Sequence, residues 1–561
     1  MVMSKNNKKY DIIIVGGGIA GLYFLYTLLN DNNNLNKKIL LLEGSNRFGG
    51  RVRTIKGRNK GYEAGAGRFS NDHKLLIELL QKFNIDNRIP IPSTQKYINT
   101  NDKNNNIKSV EDTFDLEYIK DVDNILNKII KLYDNNKLKE QKKGLKVSDF
   151  NLYDIVENNL NKKSCLTLYE KFPYYSELCV MNALDAINLF KNDFNNSIQY
   201  YILKGGLEKV IQKLLDFIKV SSNNKSKNKS NNVTLKLNSN VNSVMSNSTD
   251  NSYTVCTKDF NYDTTNVVFA IDQKRLVNMK LFNKSELKLL KNSISYQPLI
   301  RVYAKYKKQN INGVKKVWFS GLNKIVTNEP IKYIIPINED AGTIMISYTD
   351  GKHTEKIYES YINNTLNELI STSLNKLFPE TKIPEPTYLE VYYFDVGCHY
   401  WTKGHYSNDY YNKIQNIREN IYIIGEAYST HQAWIEGALQ SSLDVYNNYF
   451  NTNNVNNNVN NNVNNNVNNN AYNKLKGGAN KLKTYTLKEV QKHNSVDDGL
   501  LIVNNFVYKI PKEWTMINHP GGPIIKNYLG TDATDVFKSI HESLGNRPYE
   551  ILETFKVGKL K

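Results

Sequence analysis

A buried-type strand, Ile12–Val15, runs into the turn Gly16-x-Gly18-x-x-Gly21, which opens an apolar helical stretch over Ile19–Leu29. No other feature constrains the fold as much. The glycines permit a tight turn and close backbone approach to a pyrophosphate, and the helix start offers N–H groups and positive potential to the phosphates. Glycine turns after strands are common, so the motif alone is weak. Here a second strand, Ile39–Leu42, ends in Glu43, 22 residues after Gly21. An acidic side chain at that point can accept hydrogen bonds from ribose hydroxyls. The chain is therefore expected to contain a doubly wound α/β dinucleotide domain, with Gly16, Gly18, Ala20, Gly21 and Glu43 at the nucleotide.

The 561 residues exceed one ordinary core, so two or more domains are expected. The formal charge of +19 is spread through Lys- and Asn-rich loops, with no basic stripe interleaved with aromatics and no zinc-finger spacing. A solvated basic surface is the expectation, not a nucleic-acid interface. Cys165, Cys179, Cys256 and Cys398 form no paired or metal-binding motif, which fits a reducing compartment. Neither a signal peptide nor an apolar run of membrane-spanning length is read, so a soluble, cytoplasmic protein is expected.

Between the ends of the body, helical segments (Asp115–Tyr133, Leu207–Val220) alternate with strand-like runs (Asn266–Ala270, Leu299–Tyr306, Lys332–Pro336, Thr343–Tyr348, Tyr388–Phe394). This mixture predicts a Rossmann-type domain over 1–90, 205–275 and 411–450, interleaved with an α+β substrate domain over 91–204 and 276–410. Residues 451–481 hold an Asn-Asn-Asn-Val repeat with Val455, Val459, Val463 and Val467 at period four. Asn forms helices poorly and one Val stripe cannot offset the ordering entropy, so this stretch reads as a flexible linker. A module of about 80 residues, 482–561, follows.

Glu43-x-x-x-Arg47-x-Gly49-Gly50-Arg51 resembles the extended nucleotide motif of the flavin amine oxidase family, which also covers protoporphyrinogen oxidases and carotene desaturases. Tyr62 to Arg68 resembles that family's segment running past the flavin ring. The strand at Ile421 with Gly425-Glu426, followed by Ala433 to Leu439, resembles its C-terminal flavin motif. Lys204 to Leu207 and Asn240-Val241 match further family positions. The resemblance spans 10–445 and implies FAD, with Arg47, Gly50, Arg51, Gly67, Arg68, Val241, Gly425, Glu426 and Ile435 also at the cofactor. A helix beginning near Trp434 would face the flavin's pyrimidine edge, where positive potential favours the reduced ring.

The same resemblance bears on substrate. Arg68 matches an arginine that clamps the substrate carboxylate in the L-amino-acid oxidase branch, against the alternative that it pairs with a nearby acid such as Glu63 or with the cofactor. Trp434 and Tyr406 match two aromatic walls of a substrate cage. His405 stands where monoamine oxidases link the flavin through Cys, so the FAD is expected to be non-covalent. Arg301 stands where the family carries a Lys reaching flavin N5 through water, and an arginine cannot readily accept a proton.

The last module resembles cytochrome b5 through His519-Pro520-Gly521-Gly522 and the stretch from Gly530 to Ser543. That resemblance implies a b-type haem held by His519 and His541, with Phe537 lining its pocket. Two axial imidazoles leave no open position on the iron, which implies electron transfer. Together the resemblances imply oxidation of a small amine or amino acid by hydride transfer from Cα to flavin N5, giving an imine. Electrons would pass to dioxygen or singly to the haem or another one-electron acceptor. Two alternatives stay open: a desaturase- or protoporphyrinogen-oxidase-like enzyme acting on a carbon–carbon bond, and a catalytically idle redox or structural protein.

Overall fold

The structure is a computed structural model. It describes residues 7–451, apart from 35, 57–60, 103–105, 140–141, 194–197, 224–231, 248–250 and 312, and residues 483–561, apart from 513–514, 516–522, 542–551 and 553–554. The chain divides into two compact units, Met1–Val459 and Asn460–Lys561.

In the first unit the strand Lys8–Val15 is flanked in parallel by Lys38–Leu42 on one side and Asn261–Phe269 on the other. Asn232–Lys236 extends the sheet beyond the former and Ile421–Ile423 beyond the latter, both parallel. In chain order the five parallel strands run 3-2-1-4-5, and their direction of winding reverses beside the first strand. A ligand crevice is expected at the carboxyl ends there. Helix Ile19–Asn30 packs on one face with Ile435–Val445, their cores sharing Leu22, Leu25 and Leu439.

Residues 276–293 are expected in the substrate domain. Leu276, Met279, Phe282 and Leu290 instead pack with Val15 and Phe269 against the other face of the nucleotide sheet. The boundary expected at 275 thus falls inside one apolar core.

A second, largely antiparallel sheet runs in the order 388–401, 294–305, 343–350, 333–338, 325–327 and 96–98. The runs Thr343–Tyr348 and Tyr388–Phe394 lie within strands of the two sheets, and the other three coincide with strands except for one end residue each, Ala270, Tyr306 and Lys332. The helix expected over Asp115–Tyr133 begins only at Asp121. Upstream of it, Tyr118 bridges to Lys96 and the Ile119 N–H donates to the Gln95 carbonyl. These sheet contacts hold the segment extended and override its helical periodicity.

The second unit contains a four-stranded sheet of 483–485, 556–560, 506–509 and 500–503, with helix Thr534–His541 beside a small apolar core. Residues 452–482, most of the expected linker, and His519 lie outside the described residues.

Candidate functional site

A cavity of about 660 Å³ opens where the first strand ends. Gly16, Gly18, Ala20, Glu43, Arg47, Gly50, Arg51, Val241, Gly425, Glu426 and Ile435 all line it. Sequence positions from residue 15 to residue 438 thus converge on one space. Two helices begin there, Ile19–Asn30 after Gly18 and Ile435–Val445 after Trp434, and neither has a side-chain cap. Their first N–H groups and positive ends suit an anionic group. A Cβ on Gly18 would meet nothing nearer than 4.0 Å, so its backbone borders open space. The Glu43 carboxylate accepts from the Gly17 and Ser45 N–H groups, both at 2.8 Å. These features fit a dinucleotide.

Gly21 and Gly67 are not in the lining. A Cβ on Gly21 would come within 2.1 Å of the Gly16 carbonyl oxygen, so its part is helix-to-strand packing. On Gly67 a Cβ would lie 3.3 Å from an Arg301 guanidinium nitrogen, so this glycine makes room for Arg301. Gly67 thus stands next to Gly65 and Ala66, which do line the cavity.

Glu426 is 6% exposed and is the best-partnered carboxylate of the site. Arg51 lies 2.7 Å from its Oε2 and His399 Nδ1 2.9 Å from the same oxygen. The backbone N–H groups of His399 and Ala433 donate to Oε1 at 3.1 and 2.9 Å. Burial would raise its pKa, but the Arg51 charge and His399 outweigh burial and hold it well below the carboxylate range. His399 Nε2 faces the Gln273 N–H at 3.4 Å, so Nε2 accepts and Nδ1 carries the proton given to Glu426. No sequence signal marks His399, since a histidine in a long strand belongs to no motif of fixed spacing.

Arg301 lines the cavity from the strand Ile294–Lys305, directly opposite Tyr348 in the neighbouring strand. That register sets its guanidinium 4.5 Å from the Tyr348 ring centre. It donates to the carbonyls of Glu63, at 2.9 Å, and Gly65.

Arg68 stands just behind the lining, in an aromatic box. Its carbon lies 4.8 Å from the Tyr200 ring centre and 5.7 Å from those of Tyr174 and Trp434, and it donates to the Tyr174 hydroxyl at 3.0 Å. Glu63, the alternative partner, is turned away toward Thr54 and the Leu207 N–H. Among the described residues Arg68 meets no carboxylate at ion-pair distance. Nearby, burial and then the Arg68 charge push the Lys324 ammonium down to about 8. Trp434 lines the cavity and lies parallel to Tyr200 at 6.0 Å.

Tyr406 does not line the cavity. It precedes helix Ser407–Gln415, and its hydroxyl meets the amides of Asn188 and Asn408. Tyr200, Tyr174 and Tyr348 are the rings gathered around the guanidiniums instead. They come from three separate elements, so only the tertiary fold brings them together.

In the second unit, His541 Nδ1 lies 2.9 Å from the Phe537 carbonyl oxygen, which can only accept. The proton is therefore on Nδ1 and the lone pair on Nε2, the arrangement that iron ligation needs. The Phe537 ring packs on the imidazole at 4.4 Å.

A parallel nucleotide sheet, a cavity with two uncapped helix starts, and a second sheet contributing arginine and aromatic groups define a flavin-dependent oxidoreductase. The family model for flavin containing amine oxidoreductases matches residues 19–445, and the chain belongs to that family. The model for cytochrome b5-like haem/steroid binding domains matches 486–561. The chain is thus an FAD enzyme joined to a haem-binding module.

Among solved structures, wild-type putrescine oxidase bound to putrescine is similar with a TM-score of 0.57 at 15% identity, covering 78% of this chain and 98% of that one. A candidate protoporphyrinogen oxidase from Exiguobacterium is similar with a TM-score of 0.55 at 15% identity, covering 78% and 98%. At such identity the likeness is one of fold. Inducible nitrate reductase [NADH] 1 of Glycine max is 39% identical over 82 residues, 14% of this chain and 8% of that protein. Acyl-lipid (8-3)-desaturase B of Dictyostelium discoideum is 40% identical over 79 residues, 14% of this chain and 16% of that protein. The chain therefore spans a small part of these curated relatives, and the likeness to the desaturases concerns the haem module only.

Proposed function

We propose that the enzyme oxidises a small amine bearing a carboxylate, an L-amino acid or close analogue, and passes its electrons to dioxygen or to the haem module. The observation that carries this reading is Arg68, a guanidinium enclosed by Tyr174, Tyr200 and Trp434 with no ion-paired carboxylate among the described residues. A half-buried cation walled by aromatic rings and left without a counter-charge is poorly compensated, and a substrate carboxylate would supply that charge. Arg301 adds a second positive group at the cavity wall. The putrescine found in one structural neighbour is a diamine, cationic at neutral pH, and two guanidiniums disfavour such a ligand here.

In this reading Gly16, Gly18, Glu43, Arg51, Val241 and Glu426 hold FAD, which when bound accepts the hydride from the substrate Cα. Arg68 fixes the carboxylate in two-pronged geometry. Trp434 and Tyr200 flank the reacting carbon and exclude water. Arg301 keeps its charge throughout the working pH range, so it positions groups and does not accept the amine proton. Loss of hydride from the neutral amine leaves a protonated imine, which departs and is hydrolysed by water, so the hydride step itself requires no proton acceptor.

Anaerobic mixing with a panel of amino acids, decarboxylated amines and polyamines tests this. Amino acids should bleach the flavin band, and Arg68→Ala should lower the bimolecular rate by about a hundredfold or more, as loss of a charge-assisted pair does. Bleaching by amines that lack a carboxylate, unaltered in Arg68→Ala, would refute it.

A further inference from the structure

Three side chains outside the cavity lining meet in one buried cluster. His73 precedes helix Lys74–Lys82, Asp193 ends helix Ala183–Asp193, and His431 lies in the loop before helix Ile435–Val445. One nitrogen or oxygen from each lies within 4.8 Å of the others. His73 is 0% and Asp193 1% exposed, and the His431 side chain is 27% exposed. Inside the cluster His431 Nε2 lies 2.9 Å from Asp193 Oδ2. Two buried atoms, His73 Nε2 and Asp193 Oδ1, have no hydrogen-bond partner among the described residues. Buried polar atoms are nearly always satisfied, so a pair of them in one three-residue cluster calls for a group that binds both.

We propose that His73, Asp193 and His431 form a binding site for a divalent transition-metal ion of the two-imidazole, one-carboxylate class. Imidazole nitrogen with one carboxylate oxygen suits zinc and its first-row neighbours and is poor for calcium or magnesium. Bonds of about 2.0–2.2 Å set tetrahedral ligands roughly 3.4 Å apart, which small side-chain rotations reach from the present spacing. His73 Nδ1 receives the Ser70 N–H at 3.3 Å. That long contact is given up when Nδ1 takes the proton and Nε2 turns to the ion. The ion would tie the ends of two helices to the loop that carries Trp434, leaving one coordination position for water.

Metal retention by the full-length protein tests this. The protein is dialysed against a strong chelator, incubated with zinc chloride and passed through gel filtration, and its zinc and flavin are then measured. Wild type should keep about one zinc per chain, and His73→Gln and Asp193→Asn less than roughly a tenth of that, with flavin retained. His431→Gln, altering a partly exposed side chain, serves where the buried variants fail to fold. X-ray absorption at the zinc edge of the wild type should show two imidazoles at about 2.0–2.1 Å. Wild type without retained zinc, or zinc equally retained in all variants, overturns the site. So does a zinc spectrum lacking imidazole scattering, and a bridging water then accounts for the two atoms.

Discussion

Burial favours the neutral form of Glu177, whose carboxyl lies within electrostatic reach of Arg68. Its carboxyl is pushed up to about 8, first by burial and then by the charge of Asp350, itself raised by burial, and Tyr400 donates to it at 3.2 Å. While Glu177 keeps its proton, Arg68 lacks a counter-charge and is available to a ligand carboxylate. As pH rises through about 8 the carboxyl ionises, and its new charge competes for the guanidinium. Under the amino-acid reading, the KM for carboxylate substrates should rise about three- to tenfold between pH 7 and 9, with a smaller change in kcat. Glu177→Gln should flatten that rise, which separates it from titration of the substrate amine. Steady-state profiles of both proteins decide the matter, and parallel profiles refute the coupling. Arg68 and Trp434 were legible because each stands inside a motif. Glu177, Tyr174 and Tyr200 were not, because their roles arise only where a helix, a loop and a strand meet around one cation.

At the level of elements, the strand Tyr388–Trp401 does more than its sequence announces. Its last turn of pleat lays the His399 and Trp401 N–H groups on Glu426 and Gln432, while the Trp401 indole donates to the Ser429 carbonyl at 2.8 Å. The loop from Gly425 to Trp434 is thereby fixed from one side, with Ala433 at φ 67° and its N–H on Glu426. Replacing Glu426 with Gln keeps the shape but turns an amide donor toward donors on one of its two oxygens. The expected cost is about 2 kcal/mol, seen as roughly thirtyfold weaker FAD retention in equilibrium dialysis. Unchanged affinity would mean that the network does not shape the cofactor site.

Motif-bearing elements were readable: the first two strands, the glycine turns and the helix beginning at Trp434 lie where the sequence puts them. The late start of helix Asp121–Asp134 and the packing of 276–293 on the nucleotide sheet were not. Each depends on partners far along the chain, and local periodicity contains no information about them.

For the whole molecule, the division into two units gives the two cofactors separate scaffolds, and what joins them is a segment whose composition reads as a tether. If that segment behaves as its composition leads one to expect, about 30 residues would have an r.m.s. span near 30 Å and would hold the modules at an effective concentration of order millimolar. If electrons from the amine substrate reach the haem within one chain, the rate of haem reduction after anaerobic mixing should be first order and independent of protein concentration. Separate expression of 1–459 and 460–561, the two compact units, should yield a flavin protein and a haem protein whose mixture reduces haem at a rate proportional to concentration. At micromolar protein that mixture should be slower than the intact chain by about a hundredfold or more, the ratio of tethered to free concentration. His541→Ala supplies the control: if His541 Nε2 ligates the iron, as the cytochrome b5 resemblance implies, its loss should abolish the Soret band while the flavin still bleaches with substrate. Stopped-flow absorbance at the two bands follows both events. A concentration-dependent rate in the intact chain would show that the haem module serves a partner molecule, and a flavin that bleaches while haem stays oxidised would leave dioxygen as the acceptor.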